Sequence, residues 1–383
     1  MNVSDVVILG GGVIGLSLAE ELSRRGATVA VLDQGAIGQE ASWAGAGMLP
    51  PGNFEHATTP AARLRGMSHA LWPAFSERLL AETGIDNGYR RSGGLEIRLG
   101  EPASTLAAEV AAWRCEQVEV EPLTPDAAWQ YEPALTRQVT AAYRLPQMGQ
   151  VRNPRHLKAL QAACTNRGVV LQPGTAAYGF IRDGAKICAV RTNQGDVAAG
   201  RFVVAGGAWS SRLLETAGCR AAVRPLRGQI ALLAMHPLPV RQIVNVGPRY
   251  IVPRPDGRIL IGSTEEPVGF DKRNTAEGVG GLAGFAARVV PALAAAAFER
   301  AWAGLRPQSP DGLPYLGGAP GCDNLFVAAG HFRAGLQLSP ATALALTQLV
   351  LGQPPFMPLA AFAVDRPTAG FSSAEVSSSA EPN

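Results

Sequence analysis

Short, wholly apolar runs that end in glycine punctuate the chain, and longer stretches of mixed pattern lie between them. Three such junctions stand out: Val6 to Gly15, Phe202 to Gly207 and Leu325 to Gly330. A short apolar run leading through glycine into a helical period predicts a parallel strand buried on both faces. The three lie far apart, so one nucleotide-binding sheet is expected to be assembled from separated segments. After the first, Ala19 and Leu22 share a helical face, Gly26 closes the helix, and Val29 and Val31 alternate along a second strand ending at Asp33. After the third, Ser339-Pro340 offers an N-cap and a first-turn proline for an apolar helix from Ala341 to Leu351, closed by Gly352. Residues 51–145 differ in character, with Trp72, Pro73, Trp113, Trp129 and Pro133. Residues 221–300 carry strand-like alternation at Tyr250 to Val252 and Arg258 to Ile261. The expected division is 1–50, 146–220 and 301–365 in a nucleotide-binding domain and 51–145 with 221–300 in a substrate domain. The serine-rich 366–383 reads as a disordered tail.

Length and charge narrow the classes. At roughly 100–200 residues per domain, 383 residues make two or three core-forming units. Net charge is only +3, with the basic residues scattered in runs no longer than Arg24-Arg25 or Arg90-Arg91, which argues against nucleic-acid binding. The five cysteines form no close pair, so no metal site is expected, and they read as reduced thiols of a cytoplasmic protein. Val6 to Leu9 is apolar enough to suggest a signal peptide, but Asp5 precedes it and Gly10-Gly11-Gly12 breaks it. No apolar segment approaches the ~20 residues of a membrane helix, so no membrane partner is expected.

Gly10-x-Gly12-x-x-Gly15 sits where a strand gives way to a helix. The first glycine allows the tight turn, the second close approach to a pyrophosphate, and the third close helix–strand packing. Phosphates then meet the free N–H groups of the helix N-terminus. Asp33 stands at the end of the second strand, where a carboxylate accepts from ribose hydroxyls and repels a 2′-phosphate. A dinucleotide is therefore expected, NAD or FAD. NAD enzymes continue with further regular units, whereas here a small-residue loop runs from Gly38 to Pro50. Such a loop lets backbone N–H groups approach a large planar ligand. Small residues also make flexible linkers, but Trp43, Met48 and Leu49 speak against that reading.

These segments resemble the D-amino-acid oxidase superfamily of FAD-dependent amine oxidoreductases. So do Gly149 to Pro154, Ala208-Trp209-Ser210, Tyr250-x-Val252-Pro253-Arg254, Trp302 to Pro307 and Gly330-His331-Phe332-Arg333. The resemblance covers about residues 3–365 and is nearest the glycine-oxidising branch that serves thiamine biosynthesis. It implies an α/β fold: a Rossmann-type, glutathione-reductase-like FAD domain with a second, mixed or antiparallel-sheet substrate domain. It implies FAD with its ADP end on Gly10, Gly12, Val13, Ile14, Gly15, Asp33, Gln34 and Ala177. Ser42, Gly45, Ala46, Gly47 and Met48 would lie along the flavin, flanked by Ala205, Gly206 and Trp209. Gly330, His331, Arg333, Ala334, Gly335 and Leu336 would meet its pyrimidine side, where a cation or helix-end dipole favours the reduced ring. Pro310 to Tyr315 holds no cysteine and Cys322 lies in a later loop, so non-covalent attachment is expected.

For the substrate, the resemblance implies Arg306 as a bidentate carboxylate clamp. Tyr250 would donate to the same carboxylate, and Met48 and Arg333 would stand near the reacting carbon. Glu265 would lie at the substrate's far side and disfavour acidic substrates. His331 need not act as base if hydride leaves an uncharged amine. The implied reaction turns a small amino acid, glycine first, into the oxo acid, ammonia and hydrogen peroxide, with oxygen as acceptor, in a homo-oligomer, often a tetramer. A quinone-coupled D-amino-acid dehydrogenase, a sarcosine or proline oxidase and a non-catalytic FAD-binding protein stay open at this stage.

Overall fold

The computed structural model describes residues 4–368, 370 and 371. The rest of the expected tail lies outside the described residues. Two eight-stranded sheets and one three-stranded sheet carry the fold. In the first, Leu325–Ala329, Gly195–Val204, Ser4–Leu9, Val29–Leu32 and Val170–Gln172 run parallel in that order. All three glycine-ended runs belong to it. Val6, Ile8, Val31 and Val203 pack into a core on one face, while Val7, Leu9, Leu32 and Val204 pack into another on the opposite face. Successive residues of a strand point to opposite faces, so helix cover on both sides requires runs that are apolar throughout. Ser4–Leu9 has Gly195–Val204 on one side and Val29–Leu32 on the other. The winding reverses there, which opens a crevice at the carboxyl ends of the strands.

The second sheet runs in the order Ala297–Gln308, Arg224–Ala234, Arg258–Gly262, Arg249–Pro253, Ile243–Val246, Gly94–Leu99, Val139–Leu145 and Glu121–Leu123. It is antiparallel except where Ile243–Val246 lies parallel to Gly94–Leu99. The helix Ala276–Val289 covers one face through Leu282, Phe285 and Val289. The expected α/β class with a second, mixed sheet is what the chain adopts. No helix of the described residues is long and apolar enough to cross a membrane.

Four details depart from the sequence reading. A boundary at 301 cuts Ala297–Gln308, which pairs along its length with Arg224–Ala234 and so runs with the second sheet. Within 51–145, the helix Pro60–Thr83 sends Leu64, Trp72, Phe75 and Leu79 into the core of the first sheet. The helix after the third junction begins at Gly335 and contains Pro340. Proline has no N–H and crowds the preceding turn, and neighbouring groups take up the freed backbone. Ser339 Oγ donates to Leu336 O (3.0 Å), Trp72 Nε1 donates to Gln337 O (3.0 Å), and Ala341 N donates to Ser68 Oγ (3.2 Å). Finally, Arg366 is bound rather than loose: it donates to Asp311 and lies 4.0 Å from the Tyr315 ring centre.

Candidate active site

A cavity of about 690 Å³ opens at the carboxyl ends of the parallel strands and reaches the second sheet. Gly10, Gly12, Val13 and Ile14 line its first end, with Asp33, Gln34, Thr175 and Ala177 beyond. Gly10 adopts φ +118°, and a Cβ there would fall 2.3 Å from Ala205 O, so only glycine lets the two strand ends meet. A Cβ on Gly15 would fall 1.9 Å from Gly10 O. That residue serves helix–strand packing and is not part of the cavity wall. The N-cap residue of the helix Val13–Arg24, Gly12, has no side chain to cap its start, which leaves first-turn donors beyond Val13 for a ligand. Val13 N–H goes to Ser42 Oγ at 2.9 Å. Asp33 is fixed by accepting from Gly11 N through Oδ2 and from Gly35 N through Oδ1, both at 2.8 Å.

The small-residue loop is firmly held. Asn153 Nδ2 donates to Ser42 O (2.7 Å), Trp302 Nε1 to Ala44 O (3.0 Å) and Arg254 Nη2 to Ala46 O (2.7 Å). Gly47 takes φ +73°, with Val151 O 2.0 Å from where a Cβ would sit. Ser42, Gly45, Ala46, Gly47 and Met48 form one wall, and Ala205, Gly206 and Trp209 form another. Gly330, His331, Arg333, Gly335 and Leu336 complete it, whereas Ala334 caps the following helix and stays out of the wall. His331 is fully buried against Thr342 Oγ1 at 3.1 Å. Burial pushes its pKa down to about 3, so the ring is neutral at physiological pH. Two wall atoms, Asn153 Oδ1 and Thr175 Oγ1, are buried with no hydrogen-bond partner among the described residues. Orphaned buried polar atoms call for a partner, and together with the glycine cradle they fit a polar dinucleotide.

The far end is built by the second sheet. Arg306 donates through Nη2 to Ser263 Oγ (2.6 Å) and through Nη1 to Thr264 O (3.2 Å). It lies over Gly228 of the neighbouring strand, where a Cβ would come 2.1 Å from Nη1. Among the described residues no carboxylate pairs with it, so its charge is available to a ligand. The Tyr250 ring covers Gly262, and its hydroxyl has no hydrogen-bond partner among the described residues. Glu96 also lines this end; burial lifts its carboxyl above the usual range, opposed by the bond from Arg98.

Two expected residues sit otherwise than anticipated. Glu265 is exposed, does not line the cavity and forms an ion pair with Arg333. Arg333 lines the mouth, half-exposed over the Phe332 ring at 5.2 Å, with its charge already neutralised by Glu265. The sequence reading also missed Gly228, Ser263, Asn245 and Glu96. Only the pairing register of the second sheet reveals them.

A dinucleotide crevice whose far end carries an unneutralised guanidinium defines a cofactor-dependent enzyme acting on a small anion. The family model described as DAO, FAD dependent oxidoreductase, matches residues 5–349, and the chain belongs to that family, with FAD as its cofactor. The chain is similar to the glycine oxidase of Pseudomonas putida, at 36% identity over 360 residues covering 94% of this chain and 97% of that protein. It is also 35% identical over 357 residues to the bifunctional protein ThiO/ThiG of Synechocystis, covering 91% of this chain and 52% of that one. The crystal structure of glycine oxidase from Geobacillus kaustophilus matches with a TM-score of 0.92 at 36% identity, covering 96% of this chain and all of that one (100%).

Proposed function

We propose that this chain oxidatively deaminates glycine, with sarcosine and small D-amino acids as further substrates, giving the oxo acid, ammonia and hydrogen peroxide. The observation that carries this is Arg306, a cavity-wall guanidinium held by neutral acceptors alone. Hydrogen bonds to charged groups contribute roughly 1.5–3 kcal/mol, and the planar fork orients a carboxylate as well as attracting it. Tyr250 adds a hydroxyl donor, which fixes the substrate's tilt. When bound, FAD supplies the hydride acceptor for the alpha carbon and the site at which oxygen takes the electrons. The protein's own part is positioning and exclusion of water. Neutral His331 adds no charge to the cavity wall. Ala44, Ala46 and Met48 contribute apolar surface to the loop side of the wall.

The resemblance supports service to thiamine biosynthesis, a homotetrameric assembly and a cytoplasmic location. Purified protein offered glycine, sarcosine, D-alanine and D-proline tests the reading by peroxide release. Turnover of glycine with oxygen is expected. An inactive panel, or activity only with an added quinone, overturns it.

A further inference from the structure

Behind the loop that borders the cofactor cavity lies a second hollow of about 60 Å³. It is walled by Trp43, Arg152, Arg254, Arg258, Arg300 and Trp302, among others, and no carboxylate is among its lining residues. Arg254 is 4% exposed. Its Nη1 donates to Gln150 Oε1 (2.6 Å) and its Nη2 to Ala46 O (2.7 Å), while Nε is buried with no hydrogen-bond partner. Arg300 sits over the Trp43 and Trp302 rings at 5.4 and 5.3 Å and has no carboxylate partner among the described residues. Arg152 shares Asp256 with Arg258, which also binds Glu299 at 2.9 Å. Counting Arg90, whose charge also acts on Arg254, five guanidinium groups face two carboxylates. Burial, and then Arg90 and Arg152, push the Arg254 guanidinium down to about 9.

Uncompensated buried charge is costly, and arginine forks match tetrahedral oxyanions. We propose that this hollow is a binding site for a phosphate group, held by Arg254 Nε and the guanidinium groups of Arg300, Arg258 and Arg152. At roughly 10–15 Å³ per water-sized group, the space of about 60 Å³ takes about four to six such groups. That admits the oxygens of one phosphate and excludes a nucleotide. The site is separate from the cofactor cavity but shares its wall: Trp302 holds Ala44 O and Arg254 holds Ala46 O. Occupancy therefore ties the arginine cluster to the loop along the cofactor.

The holoenzyme titrated with inorganic phosphate at constant ionic strength, followed by broadening of the phosphorus resonance, tests this. Methyl phosphate in a parallel arm distinguishes free phosphate from a phosphoryl group on a larger molecule. Saturable binding in either arm is expected, weakened at least tenfold by Arg300→Gln; Arg300 is exposed, so Tm and FAD content of the variant should match wild type. Sulfate should compete and glycolate should not. Binding that never saturates in either arm, or that Arg300→Gln leaves unchanged, overturns the proposal.

Discussion

Gly228→Ala is a one-methyl perturbation aimed at the clamp without touching it. The new Cβ would stand 2.1 Å from Arg306 Nη1, 2.3 Å from Nη2 and 2.4 Å from Cζ. Non-bonded heavy atoms settle near 3.5–4.0 Å, so the guanidinium must retreat by about 1.5 Å. Gly228 has no positive φ, so the alanine adds no backbone strain, and the obstacle is the end of a flexible side chain. Stability should therefore change little. The hydrogen bonds of Arg306 to Ser263 Oγ and Thr264 O fix where the fork points, and the retreat breaks both. Loss of a charge-assisted carboxylate contact of roughly 1.5–3 kcal/mol corresponds to about 10- to 150-fold, and a misplacement near 1 Å alone costs about 100-fold. Steady-state peroxide production with glycine should show kcat/KM down by about 100-fold. Glycolate binding, followed by the flavin spectrum, should weaken in step, with Tm within a few degrees of wild type. A Gly228→Ala protein that binds glycolate and turns over glycine like wild type refutes the clamp geometry.

Three further outcomes follow from the same structure. Arg306→Ala should lose at least tenfold in glycolate affinity with FAD content unchanged, and Arg306→Lys should recover only part, because lysine keeps the charge but not the fork; full recovery by lysine contradicts a bidentate contact. Acid precipitation should release intact FAD into the supernatant, since Cys322 is absent from the cavity wall and near Ala217 O instead; yellow colour retained in the pellet contradicts this. Burial holds His156 and His331 each down to about 3, against 6.5 when unfolded. The unfolded chain thus takes up two protons that the native chain refuses, so stability is full above pH 6.5 and falls as the pH drops toward 3. Tm measured from pH 7 to pH 4 should decline, less steeply in His331→Gln; an identical slope in the variant contradicts the assignment.

Much of the cofactor end was legible because its signals are local. Gly10, Gly12, Gly15 and Asp33 lie within one strand–helix–strand unit, and each has a steric or electrostatic reason visible in the sequence. The loop from Ser42 to Met48 was legible by its small residues, though its anchors Asn153, Arg254 and Trp302 come from distant segments. The substrate end depends on register. Gly228 faces Arg306 only because Arg224–Ala234 pairs antiparallel with Ala297–Gln308, and no spacing in the chain announces that. The same blindness set a domain boundary inside Ala297–Gln308, since proximity to the third glycine junction suggested the wrong sheet. Pro73 hid one helix and Pro340 the first turn of another: proline argues for a helix end or start, whereas Ser339 and, from the helix Pro60–Thr83, Ser68 and Trp72 satisfy the opened turn at Pro340. Thr59-Pro60 and Gly84 do mark the ends of the first, with Thr59 Oγ1 accepting from Ala62 N at 3.1 Å. The Arg333–Glu265 pair joins two strand-end segments that the sequence had placed in separate roles.

The most direct test of the central claim is stoichiometric. Purified holoenzyme mixed with glycine under anaerobic conditions should lose its oxidised-flavin absorbance, and admitted oxygen should restore it. Over many turnovers, one glyoxylate, one ammonia and one hydrogen peroxide should appear for each oxygen consumed. Flavin that glycine cannot reduce, or reduction without peroxide on re-aeration, contradicts the account.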